Sequence, residues 1–188
     1  MKRIVIFASG SGTNAENLIT YFRSKDDISV VQVLTNNPHA MVLERCKNLR
    51  VSALSFNRIA FSETGDVLEL LKSKNPDLIV LAGFLWKIPE SFIQAFPNKI
   101  INIHPALLPK YGGKGMYGIH VHEAVVENKE KETGITIHYV NENYDEGAII
   151  FQAKCQVLPT DNAENLAAKI HELEMQHFPE VVENLLNV

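Results

Sequence analysis

The chain contains only two cysteines, Cys46 and Cys155, and they lie far apart. Two distant cysteines form neither a metal-ligand spacing nor a disulfide framework, and such usage is typical of a reducing compartment. No apolar run approaches the ~18 residues that a membrane-spanning helix needs. The run that follows Met1 is too short for the apolar part of a signal peptide. The sequence therefore predicts a cytoplasmic protein that does not associate with membranes.

An excess of positive charge is also lacking. Lysine and arginine number 18 against 22 aspartates and glutamates, so the net charge is −4. No dense basic stripe is present, which argues against nucleic acid as a partner. The length of 188 residues and the apolar content of 46% are ordinary for one globular domain with a full core. We therefore expect a single domain over residues 1–188 that acts on small molecules.

Short apolar runs alternate with helical patterns through the first half of the chain. The apolar runs, each typical of a buried strand, cover residues 3–8, 28–34, 51–56, 77–82 and 100–103. Helical patterns separate them at residues 15–23, 41–48 and 67–74, and a short helix is expected to start at Pro89. This alternation predicts an α/β fold, a Rossmann-like, doubly wound and mostly parallel sheet.

The second half has a different pattern. A glycine-rich loop at residues 112–118 leads into a predicted helix at residues 120–128. Two further strands are predicted at residues 133–140 and 148–157, where they should form a hairpin at one edge of the sheet. A long final helix is predicted over residues 163–186.

Asn102 and His104 lie where the fifth predicted strand ends, because Pro105 cannot continue a central strand. On an extended segment these two side chains face the same side. They also lie at the edge where open α/β sheets bind ligands. An amide and an imidazole that meet at one point suit acyl transfer, since one stabilises an oxyanion and the other moves a proton. Taken alone, the pattern is better explained by two turn-forming residues that follow a strand.

A glycine-rich turn, Gly10-Ser11-Gly12-Thr13-Asn14, joins the first predicted strand to the first helix. Glycines allow the backbone to approach a ligand, and a helix N-terminus favours an anion. The pattern overlaps the dinucleotide-binding fingerprint, but no acidic residue ends the second strand to hold a ribose. We therefore expect the turn to bind a single phosphate rather than a nicotinamide cofactor. The alternative is a plain turn in which Thr13 or Asn14 caps the helix.

The acidic turn at residues 141–147 contains Asp145. Such a turn is usually only solvated. If Asp145 reaches His104, however, a nearby carboxylate should raise the pKa of the histidine above its ordinary value of ~6.5. A histidine of raised pKa would suit the transfer of a proton at that site.

These motifs together resemble the phosphoribosylglycinamide formyltransferase family over essentially the whole chain. The resemblance is carried by Gly-Ser-Gly-Thr-Asn after the first strand, by Asn-Ile-His-Pro with Leu-Leu-Pro, and by Tyr-Asp-Glu-Gly. It implies transfer of a formyl group from 10-formyltetrahydrofolate, a co-substrate, to the amine of phosphoribosylglycinamide. It implies no metal.

The resemblance also implies roles for individual residues. It implies a catalytic trio of Asn102, His104 and Asp145. For the ribonucleotide it implies contacts with Gly10, Ser11, Gly12, Thr13, Asn14, His171 and Glu174. For the folate it implies contacts with Arg58, Leu85, Trp86, Lys87, Ile88, Asn102, Asn141, Glu142, Asn143 and Tyr144.

Two departures from the family pattern are visible. Ala106 replaces the serine that often follows the His-Pro pair, which removes a hydroxyl group but no catalytic group. The loop at residues 112–118 is several residues longer than is usual, and it could cover the site or reshape its phosphate end.

Other activities fit the sequence less well. A formyltetrahydrofolate deformylase would use the same trio with water, but it normally has a regulatory domain ahead of the catalytic one. A methionyl-tRNA formyltransferase would add a C-terminal domain and a more basic surface. A phosphate-binding module without catalysis would leave Asn102, His104 and Asp145 unused. A zinc site formed by His104, His120 and His122 is disfavoured, because no acidic or cysteine ligand accompanies them at a useful spacing.

Overall fold

The computed structural model describes residues 1–187, which form one seven-stranded sheet covered by helices on both faces. The strands are β1 (Lys2–Phe7), β2 (Ile28–Thr35), β3 (Ala53–Ser55), β4 (Leu78–Leu81), β5 (Ile100–His104), β6 (Glu132–Tyr139) and β7 (Ile149–Gln156). The helices are α1 (Thr13–Phe22), α2 (Met41–Asn48), α3 (Arg58–Ser62), α4 (Asp66–Lys74), α5 (Glu90–Ala95), α6 (Ile119–Glu127) and α7 (Ala163–Leu186). None of these helices is long and apolar enough to cross a membrane.

The strand order is β3-β2-β1-β4-β5-β6-β7. The first five strands in this order are parallel, whereas β6 pairs antiparallel with β5 and with β7. The order reverses between β1 and β4, and in doubly wound sheets ligands bind at such a point. The predicted fold class is therefore confirmed, including the edge hairpin and the long final helix.

Strand β1 contributes to both hydrophobic layers of the protein. Ile4 and Ile6 pack in the layer beneath α1, α2 and α7, while Val5 and Phe7 pack in the layer beneath α3, α4 and α5. All four side chains are fully buried. Burying each contributes about 1.5–3 kcal/mol. This two-sided burial explains why the strand reads as an unbroken apolar run.

Three details differ from the sequence-based prediction. Helix α3 was not predicted, because its five residues are too few for a periodic pattern. It forms because the side chain of Asn57 accepts a hydrogen bond from the Ala60 N–H at 2.9 Å. Helix α1 begins at Thr13, two residues earlier than predicted. Strand β5 continues through His104, because β6 pairs alongside it and Thr136 lies opposite His104.

Candidate active site

A cavity of about 940 Å³ opens at the carboxyl ends of β1, β4 and β5. Small-molecule sites commonly have volumes of roughly 300–1,000 Å³. One side, called the polar wall here, consists of residues 10–14 with His171 and Glu174. The other side, the apolar wall, consists of Phe84, Leu85 and Tyr144. The predicted catalytic trio lies on the lining between these two walls.

Asn102, His104 and Asp145 are brought together as the sequence predicted. The Nδ1 atom of His104 lies 3.7 Å from Oδ2 of Asp145. The amide nitrogen of Asn102 donates to Oδ1 of the same carboxylate at 3.5 Å. His104 is buried, and its Nε2–H donates to the carbonyl oxygen of Tyr111 at 2.7 Å, since a carbonyl can only accept. The Nδ1 atom is thereby left to face the carboxylate.

Asp145 is fixed from two further directions. The backbone N–H of Gly113 donates to its Oδ2 at 2.8 Å. Its Oδ1 lies 3.6 Å from Nε2 of the buried His138, which in turn lies 3.1 Å from the Asn102 amide nitrogen. Strand pairing sets this last contact, because Asn102 on β5 lies opposite His138 on β6. The antiparallel edge therefore supplies part of the site.

The electrostatics of the trio differ from the prediction. Burial lowers the pKa of His104 below its ordinary value, and this outweighs the opposing effects of Asp145 and the Tyr111 carbonyl. The expectation that Asp145 raises the pKa of His104 overall is thus wrong, because burial is the larger influence. Burial works to raise the pKa of Asp145, but the hydrogen bonds to His138 and to the Gly113 N–H lower it, and the pKa lies below its ordinary value overall. Asp145 is therefore anionic at neutral pH, beside a neutral imidazole.

The glycine turn presents free backbone groups to the cavity. The N-cap of α1 is Gly12, with φ of 75° and no side-chain cap, so neither Thr13 nor Asn14 caps this helix. A side chain at position 12 would strain this left-handed backbone and overlap Val42. With no side-chain cap, the first N–H groups of α1 remain available to an anion.

Helix α7 completes the polar wall. Oε2 of Glu174 accepts a hydrogen bond from the Asn14 amide at 2.8 Å and lies 3.6 Å from Nδ1 of His171. The hydrogen bond with Glu174 raises the pKa of His171. The carboxylate of Glu174 therefore lies between two hydrogen-bonding side chains at the cavity surface.

The residues predicted to contact folate are only partly brought together. Leu85, Asn102 and Tyr144 line the cavity. Ile88 is buried in the hydrophobic layer, where it packs rather than faces a ligand. The others lie off the cavity lining; these are Arg58, Trp86, Lys87, Asn141, Glu142 and Asn143.

Two of these off-lining residues nevertheless support the apolar wall. The guanidinium of Arg58 stacks over Trp86 at 4.6 Å from the ring centre. The ammonium of Lys87 lies 5.9 Å from the ring centre of Tyr144. Such contacts contribute about 0.5–1 kcal/mol at exposed positions. The Lys87 contact therefore reaches the lining through Tyr144, whereas the Arg58–Trp86 contact lies off it.

Several lining residues were not predicted from the sequence. Ser9 links the two walls, since its hydroxyl accepts from the Leu85 N–H at 3.0 Å. His122 on α6 faces the cavity, whereas His120 is exposed and lies 3.1 Å from Glu123. The glycine-rich loop, which the sequence did place at the site, contributes Lys114 and neighbouring residues to the lining. Helical and turn patterns alone do not reveal such positions.

A cavity at the point where the strand order reverses, lined by an amide, an imidazole and a carboxylate, is typical of α/β enzymes that transfer acyl groups. The sequence profile of the family described as formyl transferase matches residues 2–182. The chain therefore belongs to the formyl transferase family. The resemblance predicted from the sequence motifs is confirmed by this match and by the relatives described next.

Three relatives illustrate the similarity. The phosphoribosylglycinamide formyltransferase of Haemophilus influenzae is 38% identical, over 97% of this chain and 86% of that protein. The chloroplastic phosphoribosylglycinamide formyltransferase of Arabidopsis thaliana is also 38% identical, but this chain spans only 64% of its length. The crystal structure of glycinamide ribonucleotide transformylase 1 from Geobacillus kaustophilus superposes with a TM-score of 0.90 at 34% identity, and 99% of each chain is covered.

Proposed function

We propose that this chain transfers the formyl group of 10-formyltetrahydrofolate to the amine of phosphoribosylglycinamide in purine (IMP) biosynthesis. The products are the N-formyl ribonucleotide and tetrahydrofolate. The observation that carries this proposal is a single cavity with an anion-binding helix terminus at one end and the Asn102, His104 and Asp145 trio beside it. The similarity to proteins named for this activity supports the choice of substrates.

The polar wall suits the acceptor. The uncapped N-terminus of α1 offers hydrogen-bond donors and a favourable field to a phosphate. Glu174 offers a carboxylate to the glycinamide amine, and its hydrogen bond to Asn14 holds it in place. An acceptor bound along this wall would present its amine to the trio.

The apolar wall suits the donor. Leu85 and Tyr144 expose about half and about two fifths of their surfaces, at 50% and 39%. A flat aromatic ligand placed there would cover apolar surface, at about 25 cal/mol per Å². Asn102 lines the same cavity, and we propose that the formyl group of a donor bound there lies against it.

The trio suits the chemistry of formyl transfer. As the amine attacks the formyl carbon, the Asn102 amide donates to the oxygen that becomes negative. Neutral His104 accepts the proton of the amine at Nδ1, the ring nitrogen that carries no proton. The adjacent Asp145 carboxylate stabilises the imidazolium that forms. The proton then passes to the folate nitrogen as the bond from carbon to that nitrogen breaks. One C–N bond forms, one breaks, and no charge is left over.

The proposal includes one catalytic domain over residues 1–188, a cytoplasmic location and small molecules as the partners. We further propose that the reaction needs no metal. We also propose that the outer part of the folate, beyond the cavity lining, contacts Arg58, Trp86, Lys87 and residues 141–143.

A spectrophotometric assay with a 10-formyl folate tests the proposal. We expect the formyl folate to be consumed only when phosphoribosylglycinamide is present. Consumption without the acceptor would show a deformylase instead. If the formyl folate is not consumed in either case, the proposed activity is wrong.

A further inference from the structure

His122 is a cavity residue to which the proposed mechanism gives no role. It lies on α6, which packs against α7, and only 5% of its surface is exposed. The exposed part belongs to the cavity, which His104 and Glu174 also line. A histidine placed here has been removed from solvent and turned toward a ligand site.

The protein leaves this imidazole without a fixed role. Its Nδ1 atom is buried and has no hydrogen-bond partner among residues 1–187. A buried polar atom without a partner is unfavourable and uncommon in folded proteins, so its presence here calls for a functional reason. Because Nδ1 is unpaired, nothing in the protein fixes which ring nitrogen carries the proton. The ring can therefore accept or donate a hydrogen bond toward the cavity.

The surroundings keep this ring neutral. Burial lowers the pKa of His122, and the charge of Glu174 only partly opposes this effect. The other titratable or charged groups on the cavity lining are His104, Asp145, His171 and Lys114, and on its own helix Glu123 and His120 are exposed. A neutral imidazole does not repel an ammonium group, whereas a protonated one would.

We propose that His122 hydrogen-bonds the glycinamide end of the acceptor, together with the carboxylate of Glu174. This inference rests on the proposed function. Glu174 supplies the charge that attracts the amine. His122 supplies an uncharged hydrogen-bond partner, and the direction of that hydrogen bond orients the lone pair of the amine. The phosphate end of the acceptor, at residues 10–14, is expected to be independent of His122.

His122→Leu removes the hydrogen bond and keeps an apolar side chain of similar bulk, while His122→Gln keeps a polar group. We expect His122→Leu to raise the KM for phosphoribosylglycinamide about five- to tenfold, as for a lost hydrogen bond to a polar ligand. His122→Gln should restore at least half of this loss. The KM for the formyl folate should not change. His120→Leu, on the exposed face of the same helix, is the matched control and should behave as wild type.

Ribose 5-phosphate, which lacks the glycinamide group, separates contact from distortion. As a competitive inhibitor it should bind wild type and His122→Leu equally well. An unchanged acceptor KM in His122→Leu would overturn the inference. A parallel loss of acceptor, donor and ribose 5-phosphate binding would also overturn it, because it would indicate a structural role. A wild-type protein without formyl transfer would instead contradict the proposed function, so the two failures are distinguishable.

Discussion

The two walls of the cavity are constructed differently. The polar wall is held by bonds already made, such as the 2.8 Å hydrogen bond from Asn14 to Glu174. In the apolar wall Phe84 packs among other aromatic rings, including that of Trp86, while Leu85 and Tyr144 remain substantially exposed. A preorganised polar wall loses little entropy on binding and discriminates by charge. An exposed apolar wall binds mainly through the surface area that a ligand covers. Each of its contacts should therefore contribute less to the binding free energy.

The largest expected effect lies between the walls, at His104. His104→Ala removes the group that accepts the amine proton, so kcat should fall by about 10²–10⁴. Neither wall loses a side chain, and the KM values for both substrates should therefore stay within about threefold. Steady-state kinetics with each substrate varied in turn measures both effects.

His39→Ala is the control for His104→Ala, since His39 is exposed and lies off the cavity lining. Near-normal turnover of His104→Ala would contradict the proposed mechanism. A large rise in both KM values would show that the walls do not bind independently of the trio.

The next effect concerns the polar wall alone. Glu174→Gln removes a charge but keeps an oxygen that the Asn14 amide can still donate to. We expect the KM for phosphoribosylglycinamide to rise about tenfold or more, because hydrogen bonds to charged groups contribute about 1.5–3 kcal/mol. The KM for the folate should not change. Glu172→Gln, on the exposed side of the same helix, should have no effect; equal effects of the two variants would refute the assignment.

A smaller effect is expected on the apolar wall. Tyr144→Ala removes the ring that Lys87 approaches at 5.9 Å and exposes the inner part of the wall. The KM for the formyl folate should rise about three- to tenfold, in line with partial loss of one buried aromatic side chain. Tyr144→Phe keeps the ring and should be close to wild type. If Tyr144→Ala changed the KM for the acceptor instead, the two walls would have been assigned the wrong way round.

The sequence predicted much of this arrangement because local rules apply to it. The five parallel strands read as apolar runs, and Pro105 marked the end of the strand that contains Asn102 and His104. The glycine turn ahead of α1 was recognised from its two glycines, although the sequence left open whether Thr13 or Asn14 caps the helix. Each of these features depends on neighbours within a few residues, so composition and spacing reveal it.

Other features depend on contacts between distant residues, and the sequence does not encode them locally. The pKa direction for His104 was wrong because it is set by burial, and that burial comes from segments distant in the sequence, such as β6 opposite His104. His122 and His120 look alike in a helical pattern, yet one lines the cavity and the other is exposed. Sequence reasoning identifies the reacting groups more readily than it identifies their environment.

The smallest expected effect is a pH dependence of the Tm, which variants of the polar wall should show and variants of the apolar wall should lack. The hydrogen bond with Glu174 raises the pKa of His171. The stability that this protonated histidine contributes is therefore fully present below the ordinary histidine pKa of ~6.5. It is lost as the pH rises through the raised pKa. Because the His171 side chain is 44% exposed, the contribution should be small. His171→Asn should lower the Tm by about 1–2 °C at pH 6 and by less at pH 9. His39→Asn and Tyr144→Phe should show no such difference between the two pH values; an equal loss for His171→Asn at both would mean that packing, rather than charge, holds this side of the cavity.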